Sequence, residues 1–330
     1  MNQVQITRHI YPVEPVGQQE LIGLWRSEWT RTDFDWLETL NGDYADTLTI
    51  VSFVGRVENQ PVATATVIFA SDQPEVSLIG NVMTLASHRG RGIARTLTEA
   101  AVTFGFDAGC KVAYLGSART EGNVYERCGF ERLAGCIMRR PALSHTLCET
   151  KFFAPDQLTE IRRAVWGDMP GLVSLLAQPL NTAVIDYSRC LLSIKFADPM
   201  RCVSAFPVVY DEVQQRGGVM LVLAACNSGR IFGMATLTPG PAPGRAHNAM
   251  IDSATHDHYH QAMDPLLDRL RQEATDRNIE ILEACVAVAD TAKADAFSRA
   301  GLETISQRSG RLRFRSRAVD TIFMSTASES

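Results

Sequence analysis

Apolar residues in the first half of the chain follow two different spacings. Residues 78–85 form a mostly apolar run of the length of a strand. After it, Ile93, Leu97, Ala101 and Phe104 recur at the spacing of one helix face, and residues 112–115 form another short apolar run. The pattern therefore predicts a strand, a turn, an amphipathic helix and a second buried strand.

A second helix is predicted to begin around Glu121. It contains Tyr125 and ends at Gly129, because glycine is the usual residue just past the end of a helix. Phe130 then begins a further strand.

Two glycines, Gly90 and Gly92, lie in the predicted turn before the first helix. Glycine lets backbone N–H groups approach a phosphate closely, and the first turn of a helix adds unpaired N–H groups and a positive dipole end. Arg89 and Arg91 add positive charge. The segment predicts a pyrophosphate cradle, although a tight strand-to-helix connection would use the same residues.

The spacing Arg89-x-x-Gly92-x-Ala94, followed by the motif at residues 125–130, resembles the GCN5-related N-acetyltransferase (GNAT) superfamily. The resemblance implies an α/β fold in which a mixed, mostly antiparallel central sheet is flanked by helices. It also implies acetyl-CoA as co-substrate.

In that family the strand before the turn pairs with the pantetheine arm, and the turn binds the pyrophosphate. The implied cofactor-binding residues are Val82, Met83, Thr84, Arg89, Gly90, Arg91, Gly92, Ile93 and Ala94. The family's catalytic tyrosine, which protonates the leaving thiolate, falls on Tyr125. Ala118 stands where many members have asparagine, whereas residues 121–125 fit a sub-pattern with glycine three residues before the tyrosine.

The chain also resembles itself at an offset of about 170 residues. Gly129 aligns with Gly301, and two further matches join residues 59–66 with 229–236 and residues 149–153 with 320–324. We therefore predict two tandem GNAT-like domains, residues 1–156 and 157–330, a division that also suits a chain of 330 residues.

The second copy lacks the residues that bind and react. Residues 259–264 replace the glycine turn without any glycine, and Asp264 would repel a phosphate. Phe297 replaces the tyrosine. The helix persists as a packing element through Leu266, Leu267 and Leu270, so the second domain is predicted to be degenerate and without cofactor.

The composition of the chain indicates its class, its partners and its location. Hydrophobic residues make up 45% and charged residues 21%, as in an ordinary globular protein. A net charge of −5 without basic runs argues against nucleic acid as a partner. No long apolar run and no signal-peptide pattern is visible, so we expect a cytoplasmic protein without membrane association.

Metal binding is not expected. The eight cysteines show no CxxC pair and lie mostly in apolar surroundings, which favours reduced core thiols. Residues 256–260 contain three histidines, but no other ligand is tied to them, and a loop leading into a helix explains them.

The acceptor region of the resembled family lies between the first two strands, where this chain is acidic. Asp33, Asp35 and Trp36 could attract an ammonium group by charge and cation–π contact. A solvated amphipathic helix is the alternative interpretation.

The sequence therefore predicts an acetyl-CoA-dependent N-acetyltransferase that acts on a primary amine of a small molecule by direct attack. We expect a monomer whose two domains form an intramolecular pseudo-dimer, or a homodimer. A non-catalytic acyl-CoA-binding sensor or scaffold is the alternative.

Overall fold

The computed structural model describes residues 4–29, 36–117, 124–134, 137–142, 151–178, 180, 185–186, 191–192, 210, 213–240, 247–314 and 317–326. The chain divides into two compact units: Met1–Lys151 with Val165–Gly171, and Phe152–Ala164 with Leu172–Ser330. The predicted boundary between residues 156 and 157 stays a prediction.

The first unit is built on one sheet. Its described strands are β1 (Gln5–Ile10), β2 (Leu48–Val57), β3 (Gln60–Ala70), β4 (Val76–Thr84), β5 (Val112–Gly116), β6 (Glu131–Ala134) and β7 (Ile137–Pro141). They lie in the order β1-β2-β3-β4-β5-β7-β6. All neighbours are antiparallel except β4 and β5, which are parallel. The predicted strand, helix and second strand at residues 78–115 are confirmed.

Helices α1 (Pro15–Glu28) and α3 (Ile93–Asp107) pack on this sheet, and the short α2 (Trp36–Asn41) follows α1 in the chain. Successive strand residues point to opposite faces. Thr64 of β3 bonds to α1, whereas its neighbours Ala63 and Ala65 belong to the apolar cluster that contains Ile93 of α3. The two helices therefore cover opposite faces.

The second unit contains a sheet of the same topology. Its strands are β8 (Thr159–Arg163), β11 (Val219–Ala225), β12 (Ile231–Pro239), β13 (Asn248–Thr255), β14 (Ile281–Ala287), β15 (Glu303–Phe314) and β16 (Arg317–Ser325). The order β8-β11-β12-β13-β14-β16-β15 repeats that of the first sheet, with the parallel pair, β13 and β14, at the same place. The chain is thus an α/β protein with two mixed sheets, as predicted.

The remaining described strands have two residues each. Strands β9 (Ile185–Asp186) and β10 (Leu191–Leu192) form a separate ribbon, and the helices are α4 (Met169–Leu176), α5 (Met263–Asp276) and α6 (Thr291–Arg299). Leu266, Leu267 and Leu270 of α5 are buried, which confirms their predicted packing role. No described helix is long and apolar enough to cross a bilayer.

One of the three repeat matches is wrong. Residues 320–324 lie in β16, whose counterpart in the first sheet is β7. Residues 151–153 form a helical turn instead, and Phe153 packs against Phe232 and His256. The match reflected similar apolar composition rather than the same place in the fold, and its residues 149 and 150 lie outside the described part.

Candidate functional site

The first unit opens where β4 and β5 diverge. Only the first three residues of β4, from Val76 to Leu78, pair with β5, opposite Val112 to Tyr114. Beyond Leu78, β4 runs on to Thr84, paired only with β3 in the described part of the sheet. Val82, Met83 and Thr84, predicted to pair with pantetheine, lie in this free stretch.

A β-bulge interrupts β4 within that stretch. Thr64 of β3 pairs with Met83 and Thr66 pairs with Gly80, so the bulge contains Asn81 and Val82. Asn81 has φ 48, in the left-handed region that few non-glycine residues adopt. Bulges re-aim the backbone locally and often lie beside functional sites.

The glycine turn has the geometry of an anion site. Gly90 and Gly92 have φ 78 and φ 79, and a Cβ built on either would meet no atom within 4 Å. Gly92 is the N-cap of α3, and no side chain of the described residues caps the helix there. The first N–H groups of α3 have no intrahelical partner, and they lie at the positive end of the helix dipole, next to the open space around Gly90 and Gly92.

The two arginines of the turn make different contacts. Arg91 donates from Nη2 to the Ser87 carbonyl at 3.2 Å. Arg89 donates from Nε to the Thr84 carbonyl at 3.0 Å and from Nη2 to both carboxylate oxygens of Glu28 at 2.7 and 2.5 Å. Glu28 lies 61 residues away in sequence, so no local pattern could have revealed it.

Tyr125 packs against the core of the first unit. It precedes a 3₁₀ turn, Glu126–Cys128, and its carbonyl accepts from the N–H groups of Cys128 and Phe130. Its half-buried ring lies edge-on to Phe130, with centroids 6.4 Å apart. The described part of the predicted second helix is thus a 3₁₀ turn closed by Gly129; Ala118 and Glu121 lie outside the described residues.

Several predicted residues meet at one cluster. Val82 of the bulge, Ile93 of α3 and Tyr125 all pack in or against the same apolar core.

Asp33 and Asp35, predicted to contact the acceptor, lie outside the described residues, and Trp36 begins α2 but its side chain is not described. Glu75 precedes β4 by one residue and lies about 20 Å along the strand from Asn81, so it is too far from the bulge to serve there as a general base.

The second unit shares the divergence of the two central strands, since only Asn248 to Met250 of β13 pair with β14, but it differs at the bulge and at the turn. Strand β13 pairs with β12 in continuous register from Ala249 to Thr255, without a bulge, and Met234 takes the place of Thr64. At the register position of Gly80 stands Asp252, which forms an ion pair with Lys293 of α6. The Lys293 side chain is fully buried, 5.7 Å above the Phe297 ring. Since burying an unpaired charge is costly, the pair holds α6 against β13 just beyond the point where β13 leaves β14.

The three histidines at residues 256–260 serve the local structure. The 3₁₀ turn Asp257–Ala262 contains His258 and His260, and His256 is its N-cap and accepts from the His258 N–H. The His258 ring contacts the Phe153 carbonyl at 2.8 Å. Within the described ranges no three His, Cys, Asp or Glu side chains converge on a possible metal position.

His256 should make the second unit acid-sensitive. Burial is the main cause that lowers the pKa of His256 from 6.5 to about 4; His258 also lowers it and Asp257 raises it. An unfolded chain would take up this proton near pH 6.5, so the stability that neutral His256 contributes is present above that pH and lost progressively toward pH 4.

We therefore expect an NMR titration midpoint near 4 for His256 and a urea midpoint of the second unit that falls across that pH window. His256→Asn keeps an N-cap acceptor but cannot titrate, so its urea midpoint should vary less. A His256 midpoint near 6.5 would contradict the burial argument.

Four described cysteines are free thiols, of which Cys110, Cys128 and Cys285 are buried and Cys226 is exposed. Burial raises the pKa of the Cys110 thiol to about 12 and that of the Cys128 thiol to about 11. These two residues of the first unit are therefore packing thiols rather than nucleophiles.

Comparison with known proteins bears on the first unit. Residues 18–130, from α1 to Phe130, match the model of the Acetyltransferase (GNAT) family. The chain carries a GNAT domain. The match includes β4, the glycine turn and Tyr125, and no curated protein sequence matches the chain.

Solved structures similar to the chain are acetyltransferases of about half its length. A ribosomal-protein-alanine N-acetyltransferase from Brucella melitensis is 20% identical, with 50% of this chain and 98% of that one covered and a TM-score of 0.40. A GNAT-family acetyltransferase from Streptococcus pneumoniae is 16% identical, covering 51% and 98%, with a TM-score of 0.41.

A phosphinothricin acetyltransferase from Sinorhizobium meliloti, solved with acetyl-CoA, is 14% identical. Here 51% of this chain and 86% of that one are covered, with a TM-score of 0.42. A likeness of this size carries no argument about substrate, which must be taken from the site itself.

Proposed function

We propose that the chain is an acetyl-CoA-dependent N-acetyltransferase that acts on a primary amine of a small molecule. The observation that carries the proposal is the glycine turn of the GNAT domain, open at Gly90 and Gly92, directly after the free stretch of β4. An anion site that continues into unpaired strand backbone suits a ligand with a pyrophosphate and an amide-containing arm, as in acetyl-CoA.

In the proposed reaction the pyrophosphate lies on the N–H groups at residues 90–94, and the arm pairs with Val82 to Thr84. The neutral amine attacks the thioester carbonyl carbon, the new C–N bond forms, and the C–S bond breaks. Tyr125 gives its phenolic proton to the departing thiolate, and the amine gives up a proton to water or to a base. The acetyl group leaves on the amine, and CoA leaves as a thiol.

We propose further that only the GNAT domain binds the cofactor, and that the chain divides functionally at residues 156 and 157. The unbulged β13, the buried Lys293–Asp252 pair and the replacement of the glycine turn support a silent second domain. Asp264 at that turn is paired with Arg299, and its carboxylate is still about half exposed, so it disfavours a phosphate.

A thiol assay tests the function. The full chain is incubated with acetyl-CoA and a panel of amino acids, polyamines and amino sugars, and free CoA is measured with a thiol-reactive dye. We expect amine-dependent release with at least one class. Tight binding of acetyl-CoA without release for any amine would instead support the non-catalytic sensor.

A further inference from the structure

A buried hydrogen-bonded relay connects α1 to the bulge of β4. Trp25 of α1 donates from Nε1 to the Thr64 hydroxyl at 3.2 Å, and the Thr64 hydroxyl donates to the Asn81 carbonyl at 2.6 Å. Trp25 is 1% exposed and Thr64 is fully buried. The three residues come from three elements, so the sequence pattern contained no sign of the relay.

The direction of both hydrogen bonds is fixed by chemistry. An indole N–H can only donate, so the Thr64 oxygen must accept from Trp25. The single hydroxyl proton of Thr64 then goes to the carbonyl oxygen of Asn81, which can only accept. Hydrogen bonds between groups shielded from water are costly to leave unmade, so each partner restrains the next.

This restraint aims a backbone N–H group. The carbonyl of Asn81 and the N–H of Val82 belong to one planar trans peptide, in which the two groups point in opposite directions. Because Thr64 holds the carbonyl on the side of β3, the N–H of Val82 points away from β3. Beyond Leu78 that side of β4 is free of a partner strand in the described sheet.

The relay also stabilises an unfavourable conformation. Asn81 has φ 48, and a non-glycine residue in a sparsely populated region persists only where its surroundings hold it. In the second unit, β13 has no bulge and Met234, which has no hydroxyl, stands in the place of Thr64. Bulge and relay are thus present in one sheet and absent from the other.

We infer that Thr64, supported by Trp25, is a positioning residue that aims the Val82 N–H at the thioester end of the bound cofactor. The inference rests on the proposed function, because it assigns the free stretch of β4 to the acyl-bearing arm. Thr64 touches neither cofactor nor acceptor; it acts through the peptide between Asn81 and Val82.

Two ligands separate this role from general support of the fold. Acetyl-CoA reaches both the turn and the free stretch of β4, whereas 3′-phosphoadenosine 5′-diphosphate lacks the pantetheine arm and reaches the turn alone. We expect Thr64→Val to weaken acetyl-CoA binding about tenfold and to leave the affinity for the shorter ligand within twofold. The reason is that the substitution misplaces the Val82 N–H, which only the thioester end of acetyl-CoA reaches. Thr64→Ser, which keeps the hydroxyl, should retain both affinities.

A matched control exists in α3. Thr98 is fully buried, and its hydroxyl has no hydrogen-bond partner in the described part of the chain. Thr98→Val makes the same chemical change without breaking a relay, so both ligands should bind as in the unaltered chain.

Equal loss of both ligands in Thr64→Val, or no loss of either, would overturn the inference. If Thr64→Val does not fold, Trp25→Phe tests the same relay: acetyl-CoA should bind more weakly than in the unaltered chain, and the shorter ligand equally well. Failure of the proposed function gives a different result in the unaltered chain, which would then either bind neither ligand or bind acetyl-CoA without releasing CoA for any amine.

Discussion

Gly92→Glu is expected to abolish acetyl-CoA binding. A Cβ at this position meets no atom, so the new side chain extends into the open space where the phosphates are expected, and its carboxylate repels them. The substitution also forces a residue with a Cβ into φ 79, at a cost of about 1–2 kcal/mol in stability. Calorimetric titration measures the loss of binding, and a urea titration measures the cost in stability.

Gly217→Glu is the matched control for this experiment. Gly217 lies in an exposed turn of the second unit with φ 69 and equally open space around its Cβ, so the variant has the same strain and charge. It should bind acetyl-CoA as the unaltered chain does. Full binding in Gly92→Glu, or loss of binding in both variants, would mean that the turn is not the phosphate site.

Tyr125→Phe is expected to lower turnover by about a hundred- to ten-thousand-fold, from the loss of general acid catalysis at the thiolate. The phenylalanine ring keeps the edge-on contact with Phe130 and the packing on the core, so acetyl-CoA affinity should change little. Single-turnover kinetics with an amine that supports release measure the chemical step.

Tyr210→Phe controls for the loss of a phenolic hydroxyl elsewhere. Tyr210 is a buried residue of the second unit whose hydroxyl donates to the Ala164 carbonyl at 2.7 Å. Its removal should cost some stability but no turnover. An unchanged chemical step in Tyr125→Phe would remove Tyr125 from the mechanism.

Local features of the site were predictable from sequence. Glycine at positions 90 and 92 is explained by the left-handed φ of the turn, and the apolar spacing from Ile93 onward is explained by one buried face of α3. Such features depend on residues a few positions apart. The repeat likewise indicated two sheets of one topology, because Gly129 and Gly301 both have positive φ before a strand.

What the sequence missed depends on residues that only the fold brings together. The Trp25–Thr64–Asn81 relay, the Glu28–Arg89 pair and the Lys293–Asp252 pair each join residues 17 to 61 positions apart. None of these contacts follows a periodic pattern in the sequence. Glu28 also alters the charge of the turn. Arg89 was predicted as a phosphate ligand, but its guanidinium is already paired with the Glu28 carboxylate, so a phosphate would have to displace that carboxylate or share the guanidinium with it.

The expected difference in ligand binding between the two units has a simple physical basis. A bulged strand beside an open glycine turn can admit a ligand, whereas an unbulged strand whose free stretch is held to a helix by a buried ion pair cannot without breaking that pair. One copy of the sheet has the first arrangement and the other has the second. The second copy can thus keep the fold without the chemistry.

Calorimetric titration of the full chain with acetyl-CoA tests this account most directly. We predict a stoichiometry of one acetyl-CoA per chain, because only the first unit has the open glycine turn beside a free stretch of strand. Two equivalent sites per chain, or no binding at all, would contradict the account.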